Sequence, residues 1–198
     1  MKTNIILSGV GGQGILTIAA VLDTAALSQD LFVKQSEVHG MSQRGGAVQS
    51  HVRISDNEIF SDLIPEGKAD MILSVEPMEL LRYLPYLKKD GWLITDSCIF
   101  VNMAGYPSKS HLYEQIESYQ NHMIINATEI AKQIGNSKIA NIVLLGAASS
   151  LIPISEESLI NAIKKLFQHK SEKVLNLNME AFETGKMIAK RYTNTVDL

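Results

Sequence analysis

Short apolar runs alternate with helically spaced apolar residues along most of the chain. The apolar run at residues 5–7 closes with Gly9 and predicts a strand over residues 3–8 that is buried on both faces. Apolar residues from 15 to 26 then recur at helical spacing, and residues 31–33 predict a second strand. By the same criteria, further strands are predicted over 70–75, 92–95 and 123–125, and helices over 78–87, 128–134, 141–151, 156–167 and 179–192.

Two regions break this alternation. Residues 36–46 contain three glycines and no apolar periodicity, which predicts a loop. Positions from Val48 to Ile54 alternate between small or apolar and polar residues, which predicts a half-buried strand. Residues 56–57 then indicate a turn, and residues 58–60 predict the returning strand of a β-hairpin. Residues 102–121 are predicted to be an irregular surface excursion.

Strands that alternate with helices are typical of an α/β fold with a mainly parallel sheet. We therefore predict a Rossmann-like fold in which helices flank a mainly parallel sheet, with a β-hairpin insertion near residues 47–60. No linker or shift of composition divides the 198 residues, so the chain is predicted to be one domain over residues 1–198.

Charge, cysteine content and apolar runs exclude several classes of function. Eighteen Lys and Arg against 21 Asp and Glu give a net charge of −3, which provides no basic field for nucleic acid. One cysteine, Cys98, makes neither an internal disulfide nor a CxxC zinc site. The apolar runs are too short for a signal peptide or for the roughly 20 apolar residues of a membrane helix. A cytoplasmic protein that binds neither nucleic acid nor membrane is expected.

Few isolated side chains suggest catalysis. Cys98 follows a predicted strand with no base nearby in the sequence, so it is predicted to be a buried structural thiol and not a nucleophile. The five histidines show neither HxH nor HExxH spacing, and no metal site is predicted. Asp96 is predicted to cap a turn or a helix.

The segment GVGGQG at residues 9–14 contains the GxGxxG pattern between a predicted strand and a predicted helix. Glycine lets backbone N–H groups approach an anion, and a helix N-terminus adds unpaired donors. The candidate ligand-binding residues are Gly9, Gly11, Gly12, Gln13 and Gly14. A dinucleotide site also needs an acid about 20 residues further on, where this chain has Lys34. Anion binding, nucleotide binding and a turn that needs glycine only for packing all remain open.

A second unusual segment, EVHGMSQRGG, covers residues 37–46. Its guanidinium suits a carboxylate or phosphate, and its paired glycines allow close backbone approach. In a doubly wound sheet it leaves the carboxyl end of the second strand, beside the glycine loop. The residues predicted to face an active site or a partner are Glu37, His39, Gln43, Arg44, Gly45 and Gly46. The alternative is a solvated loop whose polar residues satisfy its own backbone.

These two segments, followed in order by NIVLLGA at residues 141–147 and NMEAFETG at residues 178–185, resemble the gamma-type subunits or domains of 2-oxoacid:ferredoxin oxidoreductases. The likeness spans nearly the whole chain. In length and in the second segment, the chain is most similar to the small, or beta, subunit of the members that act on indolepyruvate. The resemblance implies a Rossmann-like companion subunit with no catalytic base or nucleophile of its own.

The resemblance also implies a reaction. Enzymes of this family decarboxylate a 2-oxoacid on thiamine diphosphate, form an acyl-CoA and pass electrons through iron–sulfur clusters to ferredoxin. The 2-oxoacid is expected to be indolepyruvate or another aryl pyruvate, and coenzyme A is expected as co-substrate. Thiamine diphosphate, magnesium and the clusters are expected on a larger alpha subunit, with no cofactor on this chain. The isolated chain is expected to be inactive and to be able to form a homodimer through the surface meant for its partner.

Two other functions remain open. A stand-alone NAD(P)-binding enzyme would bind nucleotide as an isolated chain, although the acid at the second strand and a catalytic Tyr–Lys pair are missing. A non-catalytic module would bind a small molecule without turnover, since a fold alone does not determine a function.

Overall fold

One six-stranded sheet organises the chain in a computed structural model, which describes residues 1–39 and 45–193. The strand order is β2-β3-β1-β4-β5-β6. The strands are β1 (Lys2–Val10), β2 (Phe32–His39), β3 (Ala47–Ser55), β4 (Ala69–Ser74), β5 (Leu87–Asp96) and β6 (His122–Ile125). Strand β3 runs antiparallel to both of its neighbours, whereas β1, β4, β5 and β6 pair in parallel. The predicted α/β fold with a mainly parallel sheet is confirmed.

Helices cover both faces of the sheet. They are α1 (Ile15–Leu27), α2 (Pro77–Leu81), α3 (Lys109–Glu117), α4 (Ala127–Ile134), α5 (Ala140–Ala148), α6 (Glu156–Phe167) and α7 (Glu172–Thr193). The larger core joins Ile5 and Leu7 of β1 to α1, α4, α5, α6 and α7. On the opposite face, Ile6 and Ile72 pack with Leu80 of α2 and Ile116 of α3. Strand β1 is therefore buried on both faces, as its unbroken apolar run predicts.

The hairpin predicted near residues 47–60 is wrong. Strand β3 pairs with β2 on one side and with β1 on the other, so neither of its edges is left for residues 58–60, which form no strand. The hairpin is instead formed by β2 and β3. The loop predicted over residues 36–46 is also wrong for residues 36–39. These residues belong to β2, because all eight residues of that strand pair with β3.

Strand β3 is buried on both faces over most of its length, and not half-buried as its alternation predicts. Its polar face is covered by the segment that follows it in the chain. Nδ1 of the buried His51 accepts a hydrogen bond from the backbone N–H of Ile64 at 2.9 Å. The guanidinium of Arg53 donates to the backbone carbonyls of Ser61 and Leu63 at 2.7 and 3.0 Å. These partners make burial of two polar side chains possible.

Smaller differences concern the ends of elements. Residues 102–121 include α3 and are not irregular throughout, and α7 begins at Glu172 and not at Met179. Helix α2 is shorter than predicted, and β5 begins at Leu87, before the strand predicted over residues 92–95. Helix α6 has the predicted bounds, because the side chain of Ser155 accepts a hydrogen bond from the backbone N–H of Ser158 and caps its first turn.

Asp23 of α1 gives the folded chain a testable pH dependence. Burial raises the pKa of this carboxyl from 3.8 to about 6, and its Oδ1 is buried with no hydrogen-bond partner among the described residues. Because the folded pKa is the higher one, ionisation of Asp23 opposes folding above pH 6, and the penalty disappears as the pH falls towards 3.8.

We therefore expect Asp23→Asn to stabilise the chain at pH 8 by about 1 kcal/mol, after allowance for partial solvent screening of the group. This corresponds to roughly 2–4 °C in Tm. Calorimetric scans at pH 8 and pH 4 measure the effect, which should be absent at the lower pH. Asp90→Asn, which neutralises an exposed acid on β5, is the matched control. An equal gain at both pH values would contradict the explanation.

Candidate functional site

The two segments singled out from the sequence meet at the carboxyl edge of the sheet. Strands β1 and β2 both run antiparallel to β3, so they end at the same edge. The backbone N–H of Gly11 donates to the carbonyl of Gly46 at 2.8 Å and joins the two segments directly. The predicted juxtaposition is confirmed.

The glycine loop, residues 9–14, has backbone geometry that favours glycine. Gly12 and Gly14 have φ of 103° and 82°, in the left-handed region. Gly14 stands at the N-terminal end of α1. A Cβ on Gly9 would lie 2.8 Å from Cδ1 of Ile15 and 2.9 Å from Oε1 of Gln13, so a side chain there would require both of these side chains to shift. The strand, glycine turn and helix expected from the GxGxxG pattern are confirmed.

Several donors of the glycine loop are used within the protein. Oε1 of Gln13 accepts from the backbone N–H of Val10 at 2.7 Å, and the N–H of Gln13 donates to the carbonyl of Val10 at 3.1 Å. The N–H groups of Gly12 and Gly14 have no hydrogen-bond partner among the described residues. Gly12 and Gly14 line a cavity of about 290 Å³ whose other lining residues are Val10, Gly11, Ile15, Leu16 and Val48. The cavity therefore has largely apolar walls and lies beside backbone that no other described residue satisfies.

The strand order counts against a dinucleotide site. Such a site uses the ends of two adjacent strands, with the glycine loop after the first and the ribose-binding acid after the second. Here β3 lies between β1 and β2, which separates those ends by about 10 Å at the usual strand spacing. Lys34 of β2 lies opposite Arg53 in the sheet, well before the end of its strand.

The second segment is described in part. Glu37 lies opposite Ser50 near the end of β2 and is half-buried, and His39 is the last residue of the strand. Gly45 has φ of 77°, and its carbonyl accepts a hydrogen bond from Nδ2 of Asn102 at 3.0 Å. The side chain of His39, and the residues Gln43 and Arg44, lie outside the described part of the chain.

Sequence reasoning missed a buried carboxylate at the same edge, Glu76. It follows β4, and its side chain caps α2 by accepting from the N–H of Glu79 at 2.8 Å. The same carboxylate accepts from the N–H of Phe100 at 3.3 Å and from the hydroxyl of Tyr106. An acid directly before Pro77 at the end of an apolar strand was the available signal, because that position is typical of a helix cap.

Glu79 belongs to the same buried group. Its side chain is 2% exposed, its Oε1 lies 3.1 Å from Nε of Arg82, and its Oε2 has no hydrogen-bond partner among the described residues. Burial raises the pKa of Glu79, and the neighbouring Arg82 opposes that shift. Its backbone carbonyl accepts from the hydroxyl of Ser8 at 3.2 Å, which ties α2 to β1. Neither Glu76 nor Glu79 lines the cavity at the glycine loop.

Asp96, at the end of β5, caps the first turn of α4, which confirms the prediction that it caps a turn or a helix. Its Oδ2 accepts from the N–H of Thr128 at 3.0 Å and from the Thr128 hydroxyl, and its Oδ1 accepts from the N–H of Cys98 at 3.1 Å. Burial raises the pKa of Asp96, and these hydrogen bonds oppose the shift.

The buried thiol predicted at Cys98 is wrong, because Cys98 is exposed. Asp96 holds the Cys98 N–H where the chain leaves the sheet, and the residues that follow run along the surface. In the described part of the chain, no cluster of His, Cys, Asp and Glu is arranged to hold a metal ion. The described helices include none with the length and apolar character needed to cross a bilayer.

Comparison with known proteins agrees with this geometry. A model of the pyruvate ferredoxin/flavodoxin oxidoreductase family matches residues 4–188. Indolepyruvate oxidoreductase subunit IorB of Thermococcus kodakarensis is 40% identical over 197 residues, which cover 94% of this chain and 96% of that protein. The gamma subunit of a keto/oxoacid ferredoxin oxidoreductase from Geobacter sulfurreducens has a TM-score of 0.69 at 28% identity, and the match covers 96% of this chain and 99% of that one.

A longer protein contains the same fold. The 2-oxoglutarate:ferredoxin oxidoreductase of Magnetococcus marinus has a TM-score of 0.78 at 24% identity, and the match covers 96% of this chain but only 31% of that one. The family match spans most of the sequence, and the match to the IorB relative covers almost the full length of both chains. The resemblance stated from the two loops is thereby confirmed, and this chain belongs to the pyruvate ferredoxin/flavodoxin oxidoreductase family.

Proposed function

We propose that this chain is the small, accessory subunit of a 2-oxoacid:ferredoxin oxidoreductase that acts on indolepyruvate and related aryl pyruvates in the cytoplasm. The observation that supports this most is 40% identity to an IorB subunit along almost the full length of both chains. The reaction joins a 2-oxoacid to coenzyme A with loss of carbon dioxide, and the two electrons released pass to ferredoxin.

Catalytic cofactors belong on a larger partner subunit in this proposal. An iron–sulfur cluster is normally held by about four thiolates, and this chain has one cysteine, which is exposed. Thiamine diphosphate supplies the carbanion chemistry when bound to the partner. The buried carboxylates Glu76 and Glu79 hold the carboxyl edge and take no catalytic role.

The carboxyl edge of the sheet is the part of this chain that serves the shared active site. The glycine loop offers the N–H groups of Gly12 and Gly14 beside an apolar cavity. The second segment carries Glu37, His39, Gln43 and Arg44 and is joined to the loop through Gly46. Such an edge can exclude water and supply polar contacts to the 2-oxoacid or to coenzyme A.

The first experiment is recovery of the tagged chain from its own cells under anaerobic conditions, followed by mass spectrometry of what co-purifies. We expect a large, cysteine-rich, thiamine-dependent subunit to co-purify at a fixed ratio. The complex should reduce ferredoxin when indolepyruvate is supplied. The isolated chain should show no activity. Recovery of the chain alone or as a homodimer, with no such partner, would contradict the accessory role.

Arg44→Ala tests the second segment. Loss of a charge-assisted contact to substrate or partner should lower the activity of the complex roughly tenfold or more, while the Tm of the small subunit changes by less than about 2 °C. Lys164→Ala, on the exposed face of α6, is the control for removal of a surface cation. Unchanged turnover in the Arg44→Ala complex would remove this segment from the site.

A further inference from the structure

An exposed loop of unusual composition lies beside the candidate site. Residues 97–108, here called the apolar loop, connect β5 to α3 and contain no charged side chain in twelve positions. Three of its large apolar side chains are exposed: Phe100 at 45%, Val101 at 65% and Met103 at 51%. Exposed apolar residues that occur together on a chain surface mark sites of interaction.

Hydrogen bonds hold the apolar loop in place at several points. The carboxylate of Glu76 accepts from the N–H of Phe100 and from the hydroxyl of Tyr106. At its start, the carbonyl of Ser97 accepts from the hydroxyl of Tyr113 at 2.7 Å. The exposed apolar side chains therefore project from a backbone that is fixed from beneath, which reduces the entropy lost when a partner binds.

The apolar loop is also continuous with the second segment. Nδ2 of Asn102 donates to the carbonyl of Gly45 at 3.0 Å, and Gly46 in turn joins the glycine loop through the N–H of Gly11. A partner protein that covers the apolar loop would therefore also contact the carboxyl edge of the sheet, which is proposed to serve the shared active site.

The most exposed aromatic residue of the described chain provides a contrast. Phe60 is 90% exposed, but it lies at the opposite edge of the sheet, in a segment over residues 56–68 that carries five charged side chains. Charges around an apolar residue are typical of a surface that stays in water, whereas the centre of a protein interface is depleted of charge.

We propose that the apolar loop is a docking surface for the larger subunit of the oxidoreductase complex. This inference rests on the proposed function. Its support is the uncharged composition of the loop, its fixed backbone, and its continuity with the candidate site through Asn102 and Gly45. In the longer Magnetococcus marinus protein, the same fold makes up 31% of one chain, so there it forms part of a larger body.

The test compares two charge insertions at opposite edges. Val101→Glu places a carboxylate on the apolar loop, and Phe60→Glu places one on the other edge. Affinity for the larger subunit is measured by biolayer interferometry with the purified subunits under anaerobic conditions. We expect the dissociation constant to rise at least tenfold for Val101→Glu and to stay within twofold of wild type for Phe60→Glu, with the Tm of both variants close to that of wild type.

Three results would overturn the proposal, and they differ in whether the proposed function also fails. If Val101→Glu binds the larger subunit as tightly as wild type does, the docking surface is wrong and the proposed function stands. If the wild-type chain does not bind the larger subunit, both are wrong. If Val101→Glu abolishes a homodimer seen in sedimentation of the isolated chain but leaves affinity for the larger subunit unchanged, the loop is covered by a second copy.

Discussion

Gly185→Ala is expected to be among the most damaging single substitutions in this chain. A Cβ on Gly185 of α7 would lie 1.9 Å from the backbone carbonyl oxygen of Val143 and 3.0 Å from the backbone nitrogen of Ala147, both in α5. On the other side of the same crossing, a Cβ on Gly146 would lie 2.1 Å from the carbonyl oxygen of Phe182. Both clashes are with helix backbone, so no side-chain rotation relieves them.

The two helices would have to separate, and their separation would open the larger core. Overpacking in a core typically costs about 1–3 kcal/mol. Because the clash here is with main chain, we expect a loss of about 3 kcal/mol or more, which is roughly 6–12 °C in Tm for a domain of this size.

Thermal melts followed by circular dichroism measure this effect for Gly185→Ala and for Gly146→Ala. Met187→Ala is the matched control, because Met187 lies on the same helix and is exposed. The control should change stability by no more than about 0.5 kcal/mol. A Tm for Gly185→Ala within 2 °C of wild type would show that the helices are not held at this distance by their glycines.

The same contact bears on the candidate site. All nine residues of α5 are buried, and its first turn holds the glycine loop, because Nδ2 of Asn141 donates to the carbonyl of Gly14 at 3.0 Å. A shift of α5 would therefore also move the glycine loop at the start of α1. The two sequence runs at 141–147 and 178–185, which carry part of the family resemblance, contain the glycines that set this helix pair.

Asp96→Ala is expected to produce the second large effect. The carboxylate is fully buried and accepts hydrogen bonds from the backbone N–H groups of Cys98 and Thr128 and from the Thr128 hydroxyl. Alanine would leave these donors without their acceptor. Hydrogen bonds to a charged group contribute about 1.5–3 kcal/mol each, so we expect a net loss of about 2–4 kcal/mol.

Asp90→Ala is the control, because Asp90 lies on the same strand with an exposed side chain. Chemical denaturation should show a lower midpoint for Asp96→Ala and little change for Asp90→Ala. Amide hydrogen exchange should accelerate in the first turn of α4 and at the start of the apolar loop, since Asp96 holds both. Acceleration spread evenly over the chain would contradict a local anchoring role.

Local chemistry in the sequence determined the elements that depend on neighbours along the chain. The apolar run before the glycine loop predicted β1, and the glycines themselves predicted the turn into α1, where Gly12 and Gly14 have positive φ. Helix α6 was predicted at both ends from its apolar spacing, and in the structure Ser155 caps it while acids and lysines occupy its first and last turns. The family was recognisable for a related reason, since these local motifs follow one another in a fixed order.

Partners distant in the sequence decided the rest. Residues 36–39 have no local strand signal, and they extend β2 only because β3 pairs with them. The polar residues His51 and Arg53 could be buried because residues 61–64 supply their hydrogen bonds. The single domain over residues 1–198 and the roles of the candidate site residues stay predictions.

The carboxyl edge of the sheet shows most clearly which features the sequence indicated and which ones the tertiary structure decided. The sequence by itself indicated that the glycine loop and residues 37–46 carry the unusual chemistry, because those signals are compositional. Only the tertiary structure joined them through Gly11 and Gly46, and only it brought Glu76 beneath the apolar loop from 24 residues away. Hydrogen bonds between segments depend on where the sheet places strand ends in space, and neither periodicity nor composition along the chain encodes that placement.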